Sequence, residues 1–479
     1  MSQKISMLNI RLPNIIDRAK SYCKILNNAG YEAYIVGGAV RDILLGLFPN
    51  DVDITTNALP TEVTKVFTER SYEVIPVGEK FGTVIIVDKS MMEPIEVTTY
   101  RSEGRYSDKR HPDEVKFETS LIKDLERRDF TINAMAFDPL TNIIIDPFNG
   151  YNDLGNNDWG AKILRAVGNA EERFKEDPLR MLRMCRLACK LEFILAEDTF
   201  RAAQNLHSLI REIPAERVKD ELFKMLTIPD PTWAFYHLDN TDLIMDILPE
   251  VGMLKLAAQP KQYHKYSVMY HMFETAKFIP ETKPLLRFAA LIHDVGKTHM
   301  NMFPPYFPMH VKDGQKLFED ISKRLKLSNE EHDYIVFIME HHMDQFGFKN
   351  MTSDSSLRKW MSKMGENIKY LGDLFIIFYA DNLGTGIDKP ETIKRTQDTH
   401  IRCEGIIATK QPLSIKDLVI DGHDLMAIGI PASPVLGEIQ KLLLVKVIED
   451  PQRNTRNYLL NYAFNFYLEY ISPSVDRKI

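Results

Sequence analysis

Tyr34-Ile35-Val36-Gly37-Gly38-Ala39-Val40-Arg41-Asp42, followed by Asp51-Val52-Asp53, is the stretch on which the fold turns. An apolar run leads into a Gly-Gly turn, then an Arg-bearing helix, then two carboxylates one residue apart. Paired glycines let backbone N–H groups approach phosphate oxygens, and a helix N-terminus adds a favourable field. Arg41 carries the planar fork that matches a phosphate. On a strand Asp51 and Asp53 face the same way, the arrangement two carboxylates need to hold one or two hard divalent cations. Each half alone is common for structural reasons. Together, in this order and within about twenty residues, they point to the handling of a nucleoside triphosphate with magnesium.

Around this block, short apolar runs at 33–36, 51–55, 73–77, 83–87, 94–98 and 131–137 read as strands, with helices at 12–29 and 60–69. This is an α+β pattern, a small mixed sheet with helices, ending near Gly150. From about Ala170 onward nearly every segment has helical period. A chain of 479 residues is too long for one core. No apolar run is long enough to span a bilayer and no leader-like start is present, so no membrane association is expected and a cytoplasmic location is. The net charge of −7 argues against indiscriminate nucleic-acid binding but leaves room for a local basic groove. Cys185 and Cys189 lie one helical turn apart and read as buried helix-face thiols.

Two further blocks carry chemistry. In Asp124-Leu125-Glu126-Arg127-Arg128-Asp129-Phe130-Thr131-Ile132-Asn133-Ala134 the adjacent arginines suit an anion, although a solvated helix end with weak salt bridges would also hold them. In Glu176-Asp177-Pro178-Leu179-Arg180-Met181-Leu182-Arg183-Met184-Cys185-Arg186, Asp177 and Pro178 read as N-cap and first helical residue. Arg180, Arg183 and Arg186 form a basic stripe along that helix. Glu176 can pair with Arg180, but neither Arg183 nor Arg186 has an acidic residue three or four positions away.

These blocks resemble, in order, the motifs of the class II tRNA nucleotidyltransferases: the CCA-adding enzymes and their bacterial poly(A) polymerase relatives, within the polymerase-β superfamily. The resemblance implies that Asp51 and Asp53 bind Mg²⁺ and are catalytic. It also implies that Gly37, Gly38, Arg41, Arg127, Arg128 and Asn133 serve the triphosphate and ribose. Asp177 and Arg180 would read the base, on the helix that also carries Arg183 and Arg186. Cytosine and adenine share an exocyclic donor beside a ring acceptor, so one carboxylate and one guanidinium fit both. Residues 96–112 resemble the family's flexible loop, an element that CC-adding relatives lack, which implies addition of the terminal adenosine. Glu96 is a candidate third carboxylate near the metals. Glu216-Arg217-x-x-x-Glu221 resembles a bracing motif, and the C-terminal helices resemble a tail that meets the far end of tRNA.

Downstream, His271, His293-Asp294-Val295-Gly296-Lys297, His310, His341-His342 and Asp381 follow one another on separate predicted helices. Imidazoles and carboxylates so arranged suit a divalent metal. The order His, His-Asp, Asp resembles the HD phosphohydrolase superfamily, with His271, His293, Asp294 and Asp381 as the implied ligands of a second divalent cation (Mg, Mn, Ni or Co). Turnover there does not follow from the ligands.

The expected architecture is a polymerase-β-type head (1–150), a helical neck (151–230), an HD-type body (231–400) and a helical tail (401–479). The expected function is template-free addition of CCA to tRNA from CTP and ATP. The rivals are a poly(A) polymerase, an A-adding specialist, an HD phosphodiesterase with an RNA-binding head, and a non-catalytic tRNA-binding protein.

Overall fold

The computed structural model describes residues 3–6, 14–76, 82–87, 94–103, 115–156, 160–300 and 309–471. The chain divides into two compact units, Met1–Met253 with Ile321–Lys326, and Leu254–Asp320 with Leu327–Ile479.

The first unit is built on an eight-stranded mixed sheet. Its strands are β1 (Gln3–Ser6), β2 (Ala33–Val36), β3 (Asp53–Thr56), β4 (Glu73–Ile75), β5 (Thr83–Val87) and β6 (Ile95–Thr99). A separate hairpin of β7 (Arg101–Glu103) and β8 (Val115–Phe117) follows, and then β9 (Ala136–Asp138) and β10 (Ile143–Asp146) complete the sheet. The spatial order is β1-β10-β9-β2-β3-β6-β5-β4, antiparallel throughout except for the parallel pair β3 and β6. β3 is central, with Ile54, Thr55 and Thr56 all buried, whereas β5 alternates, burying Val84 and Ile86.

Three helices accompany these strands: α1 (Asn14–Asn28), α2 (Gly38–Leu44) and α3 (Pro60–Thr68). Then come α4 (Leu121–Glu126) and the short α5 (Gly150–Asp153). The sequence predicts a strand over 131–137. Instead Thr131–Asn133 forms a 3₁₀ turn, and only Ala136–Asp138 joins the sheet. Polar side chains hold the turn: Thr131 Oγ1 donates to Asp153 at 2.7 Å and Asn133 Nδ2 to Asp129 at 3.0 Å. Gly150 packs directly on it, since a Cβ there would lie 2.2 Å from the Thr131 carbonyl oxygen.

The helical part of this unit includes α6 (Ala170–Glu176), α7 (Leu179–Leu191), α8 (Glu197–Leu206) and α9 (Ala215–Leu226). α7 buries Met181, Leu182, Cys185, Ala188 and Cys189 along its apolar side. Both thiols are buried as expected, and Cys189 Sγ donates to the Asp230 carbonyl at 3.2 Å. The two-unit division is observed directly, whereas the division of the helical part into neck, body and tail is a sequence expectation.

The second unit is helical. The helices Val268–Lys277 and Leu371–Gly384 approach closely because Gly384 has no side chain; a Cβ there would meet Thr275 Oγ1 at 2.4 Å. Towards the C-terminus, Leu425, Ile439, Leu443, Val447, Leu459 and Ala463 form a separate buried cluster. No described helix is long and apolar enough to cross a membrane.

Candidate functional site

β2 ends at Val36, whose register partner on β3 is Asp53. Gly37 follows at φ 75°, ψ −142°, a backbone region open in practice only to glycine. A Cβ there would also fall 3.0 Å from Arg128 Nη1 and 3.7 Å from Asp53 Oδ2. The Gly-Gly turn therefore lies against the carboxylate of β3, and Gly38 opens α2.

Asp53 is the first residue of β3; Asp51 precedes the strand instead of lying on it. The phase of burial nevertheless continues through exposed Asp51, buried Val52 and half-buried Asp53, which keeps both carboxylates on the open side. On the parallel neighbour, Glu96 is the register partner of Asp53. Burial, and then the charges of Glu96 and Asp51, push the Asp53 carboxyl up to about 6 against the opposing pull of Arg128. Three crowded carboxylates form an all-oxygen donor set that fits a hard divalent cation. The alternation of Glu96 with apolar neighbours was visible in the sequence; its pairing with Asp53 was not.

The arginines divide into two kinds. Arg41 is buried, with Nε donating to Asp42 at 2.8 Å and Nη1 to Asn133 Oδ1 at 2.7 Å. Asn133 in turn donates to Asp129, which accepts from Arg183 Nε at 2.9 Å and Nη2 at 2.6 Å. This chain of bonds ties α2 to α7 and holds the Asp129 carboxyl down to about 2, the Arg183 and Asn133 interactions outweighing burial. Arg186 Nε donates to Glu221 on α9 at 2.7 Å. Arg183 and Arg186 thus have carboxylate partners, supplied from other elements.

Arg128 differs. Its Nε is buried without a hydrogen-bond partner among the described residues, and its Nη2 lies 3.6 Å from Asp124 Oδ2. Arg127 is held by Asp124 through Nε at 3.0 Å and Nη2 at 2.8 Å. Asp177 lies between α6 and α7, accepting from Leu179 N at 3.1 Å and from Arg217 Nη2 at 2.9 Å. Arg180 donates to Glu176 at 2.8 Å and to the Arg127 carbonyl at 2.9 Å. That last bond links the base-reading candidates to the Arg127-Arg128 block. Beside them opens a cavity of about 250 Å³, lined in part by Glu126, Arg127, Arg173 and Glu176. Of the loop expected at 96–112, residues 104–112 lie outside the described residues, and the hairpin strands β7 and β8 flank that stretch.

In the second unit the sequence-predicted ligands converge. His271, from the helix Val268–Lys277, places Nε2 3.0 Å from Asp381 Oδ1 and 3.8 Å from Asp294 Oδ2. His293 Nε2 lies 3.4 Å from Asp294 Oδ2 and 3.5 Å from Asp381 Oδ1. All four residues are buried. Burial opposes charge on His293, but Asp294 and Asp381 raise its pKa to about 10. His271 has neither ring nitrogen in a hydrogen bond among the described residues, and His293 Nε2 has none. Buried imidazole nitrogens aimed at carboxylates without hydrogen bonds fit a transition-metal cation. His342 and His310 join the cluster, whereas His341 turns away to pair with Asp344 at 2.7 Å.

Comparisons with known proteins agree with this layout. Residues 33–158 match the Poly A polymerase head domain, residues 192–254 the family described as "Probable RNA and SrmB- binding site of polymerase A", and residues 262–382 the HD domain. Head and HD domains of these kinds imply use of divalent metal. A CCA-adding enzyme of Lactobacillus helveticus is 43% identical over 51% of this chain and 59% of its own length. The CCA-adding enzyme of Lactobacillus johnsonii is 34% identical over 92% of this chain and 96% of its own length. Among solved structures, Bacillus stearothermophilus CCA-adding enzyme in complex with CTP superposes with a TM-score of 0.71 at 27% identity, covering 98% of this chain and all (100%) of that one. Thermotoga maritima CCA-adding enzyme complexed with tRNA_CCA shares the fold at a TM-score of 0.62 and 20% identity, covering 95% of each chain. A relationship that runs through nearly the whole chain takes in the carboxylate edge, the Arg128 turn and the α6–α7 junction together: the chain belongs to the CCA-adding enzyme family.

Proposed function

We propose that this chain is a cytoplasmic enzyme that adds C, C and A to the 3′ end of tRNA, taking CTP and ATP without a nucleic-acid template. We assign the chemistry to a head (1–150) and neck (151–230), and tRNA support to the body (231–400) and tail (401–479). The observation that carries the reading is the facing of Asp53, Asp51 and Glu96 by the Gly37 turn and the unpartnered Arg128 Nε. Asp51 and Asp53 would hold magnesium, which when bound lowers the pKa of the attacking hydroxyl and offsets charge on departing pyrophosphate.

The remaining work falls to the chain's own groups. The backbone amides at Gly37 and Gly38 and the Arg128 guanidinium orient the triphosphate so that the 3′-hydroxyl oxygen bonds to the α-phosphorus as the bond to pyrophosphate breaks. Asp177, fixed by Arg217, accepts from the exocyclic amine of cytosine or adenine, and Arg180 donates to the neighbouring ring nitrogen. Arg41, Asn133 and Arg183 position these groups through their internal bonds.

The test uses purified protein and a tRNA transcript ending at the discriminator base, given CTP, ATP or both, with products sized by gel. Three added nucleotides with both triphosphates, and loss of incorporation in the Asp51→Ala, Asp53→Ala double variant, are expected. Long tails from ATP alone would identify a poly(A) polymerase. Extension only of transcripts already carrying CC would identify an A-adding specialist.

The unpartnered imidazoles of the second unit support a second reading: a divalent-metal site (Mg, Mn, Ni or Co) at His271, His293, Asp294 and Asp381, with phosphohydrolase activity separate from nucleotide addition. Hydrolysis of a cyclic phosphate that survives Asp51→Ala and is lost in Asp294→Ala is the expected signature.

A further inference from the structure

Leu47 and Phe48 stand on the loop that carries the chain from α2 to the carboxylate edge. Phe48 is 81% exposed and Leu47 51%, although both are large apolar side chains. Scattered exposed apolar residues are ordinary, so the question is whether the local fold uses these two. α2 ends in a helix-stop turn. Gly46, at φ 73°, donates to the Ile43 carbonyl at 3.0 Å, and Leu47 N donates to the Asp42 carbonyl at 2.8 Å. An apolar residue at the Leu47 position of such a turn commonly packs on an apolar side chain in the last turn of the helix. Here the facing positions hold Arg41 and Asp42, which bond to each other at 2.8 Å, and Leu47 stays open. The turn accounts for Gly46 and leaves the apolar character of Leu47 and Phe48 unused.

The loop is nonetheless fixed. Two hydrogen bonds hold its start, and Pro49, buried directly after Phe48, has its φ set by its ring. The exposed ring therefore projects from a held backbone. Three residues of chain reach no further than about 11 Å, so the Phe48 backbone lies within that distance of Asp51. The chemistry at this edge says what lies beside it. The residues assigned above serve the cation, the triphosphate and the incoming base, and none serves the accepting strand. That strand must bring its 3′-hydroxyl to Asp51 and Asp53, and the nucleotide bearing the hydroxyl changes at each step: the discriminator base, then C, then C again. A hydrogen-bonding pocket built for one of these would reject another, whereas an aromatic face accepts any base. An uncharged ring also suits a place near three carboxylates, where a lysine or arginine would compete with a cation for them.

We propose that Phe48, flanked by Leu47, is the platform on which the terminal base of the tRNA acceptor end stacks while its 3′-hydroxyl is extended. The ring contacts the accepting RNA and not the incoming triphosphate, and it is indifferent to which base the end carries. The inference rests on the nucleotidyltransfer reading of the head and adds to it a residue for the accepting strand.

The test measures steady-state addition from CTP by the full chain to tRNA transcripts ending at the discriminator base, in the parent, Phe48→Ala and Phe48→Trp. Each is also given a transcript whose last nucleotide is abasic but keeps its 3′-hydroxyl. A loss of about tenfold or more in kcat/KM for tRNA is expected in Phe48→Ala. The loss is expected to be alike for all four discriminator bases, with KM for CTP unmoved and with Phe48→Trp recovering most of it. The abasic end is expected to cost the parent a similar factor and Phe48→Ala almost nothing further, because ring and base form one contact. Losses that multiply in the pairing of abasic end and alanine variant overturn the platform. So does an effect confined to KM for CTP, which would put the ring under the incoming nucleotide. Unchanged kinetics in Phe48→Ala overturn it too, and a shift from dimer to monomer in sedimentation beside them would assign the face to a second copy of this chain. The parent's response to the abasic end does not depend on whether any variant folds, and an abasic end used as well as an intact one also overturns the platform. A parent that adds nothing to any transcript overturns the nucleotidyltransfer reading and the platform with it, whereas every other outcome leaves that reading standing.

Discussion

Asp53 sits where three demands meet: it opens a central strand, it lies against a glycine turn, and its register partner is another carboxylate. Burial and the neighbouring Glu96 and Asp51 raise its carboxyl to about 6, against 3.8 ordinarily. Between those two values the folded chain holds a proton that the unfolded chain has lost. Stability of the metal-free protein therefore falls as pH rises through that window and stays lower above it. Asp53→Asn removes the term. At pH 8 without divalent metal it is expected to stabilise the protein by about 1–2 kcal/mol, after allowance for partial exposure, while abolishing nucleotide addition. Denaturant melts at pH 4 and pH 8 check this; a variant less stable than the parent at pH 8 contradicts the crowded-carboxylate account. The Asp51-x-Asp53 pair was legible in sequence because spacing alone puts both side chains on one side of extended chain. The third carboxylate was less so, because strand register is decided by the sheet.

At the scale of elements, α7 shows why the arginine stripe was only half readable. Its spacing is plain in the sequence, and Glu176 lies four residues from Arg180, within helical reach. The partners of Arg183 and Arg186 are 54 and 35 residues away, on the Asp129 segment and on α9. Glu221 is buried, and Arg186 with Lys224 holds its carboxyl below the ordinary value despite burial. Glu221→Ala leaves the half-buried Arg186 without that partner, and a loss of about 3 kcal/mol or more is expected, read from chemical denaturation. The milder Glu221→Gln is expected to lose less, because the amide oxygen still accepts from Arg186. Equal stability of the parent and Glu221→Ala would show that α9 does not brace α7. The same contrast explains the segment 131–137. Its β-branched residues read as a strand, but side-chain bonds to Asp153 and Asp129 and the tight packing of Gly150 turn its first half aside.

At the scale of the molecule, the two clusters differ in ligand chemistry and each is drawn from one compact unit. The head offers carboxylate oxygens and the second unit mainly imidazole nitrogens, so nickel is expected to prefer the latter. Hydrogen exchange with and without Ni²⁺ is expected to show protection in the helices Val268–Lys277, Pro284–Ile292 and Leu371–Gly384, with the amides of β2, β3 and β6 unchanged. Protection confined to the sheet, or spread evenly over both units, would contradict a nickel-preferring histidine site.

The sequence by itself determined the order of the parts: a Gly-Gly turn and paired aspartates in an α+β head, a capped arginine helix, and a run of histidines and aspartates in a helical body. These are local features, set by spacing, turn chemistry and periodicity within a few residues. Only the tertiary structure decided which arginines are bound internally and which guanidinium is left beside the carboxylates. It also placed Glu96 beside Asp53, and Asp294 with Asp381 among buried imidazoles. Those assignments depend on which distant side chains share a buried volume, where an unpaired charge or lone pair is costly, and that is a property of packing rather than of spacing along the chain.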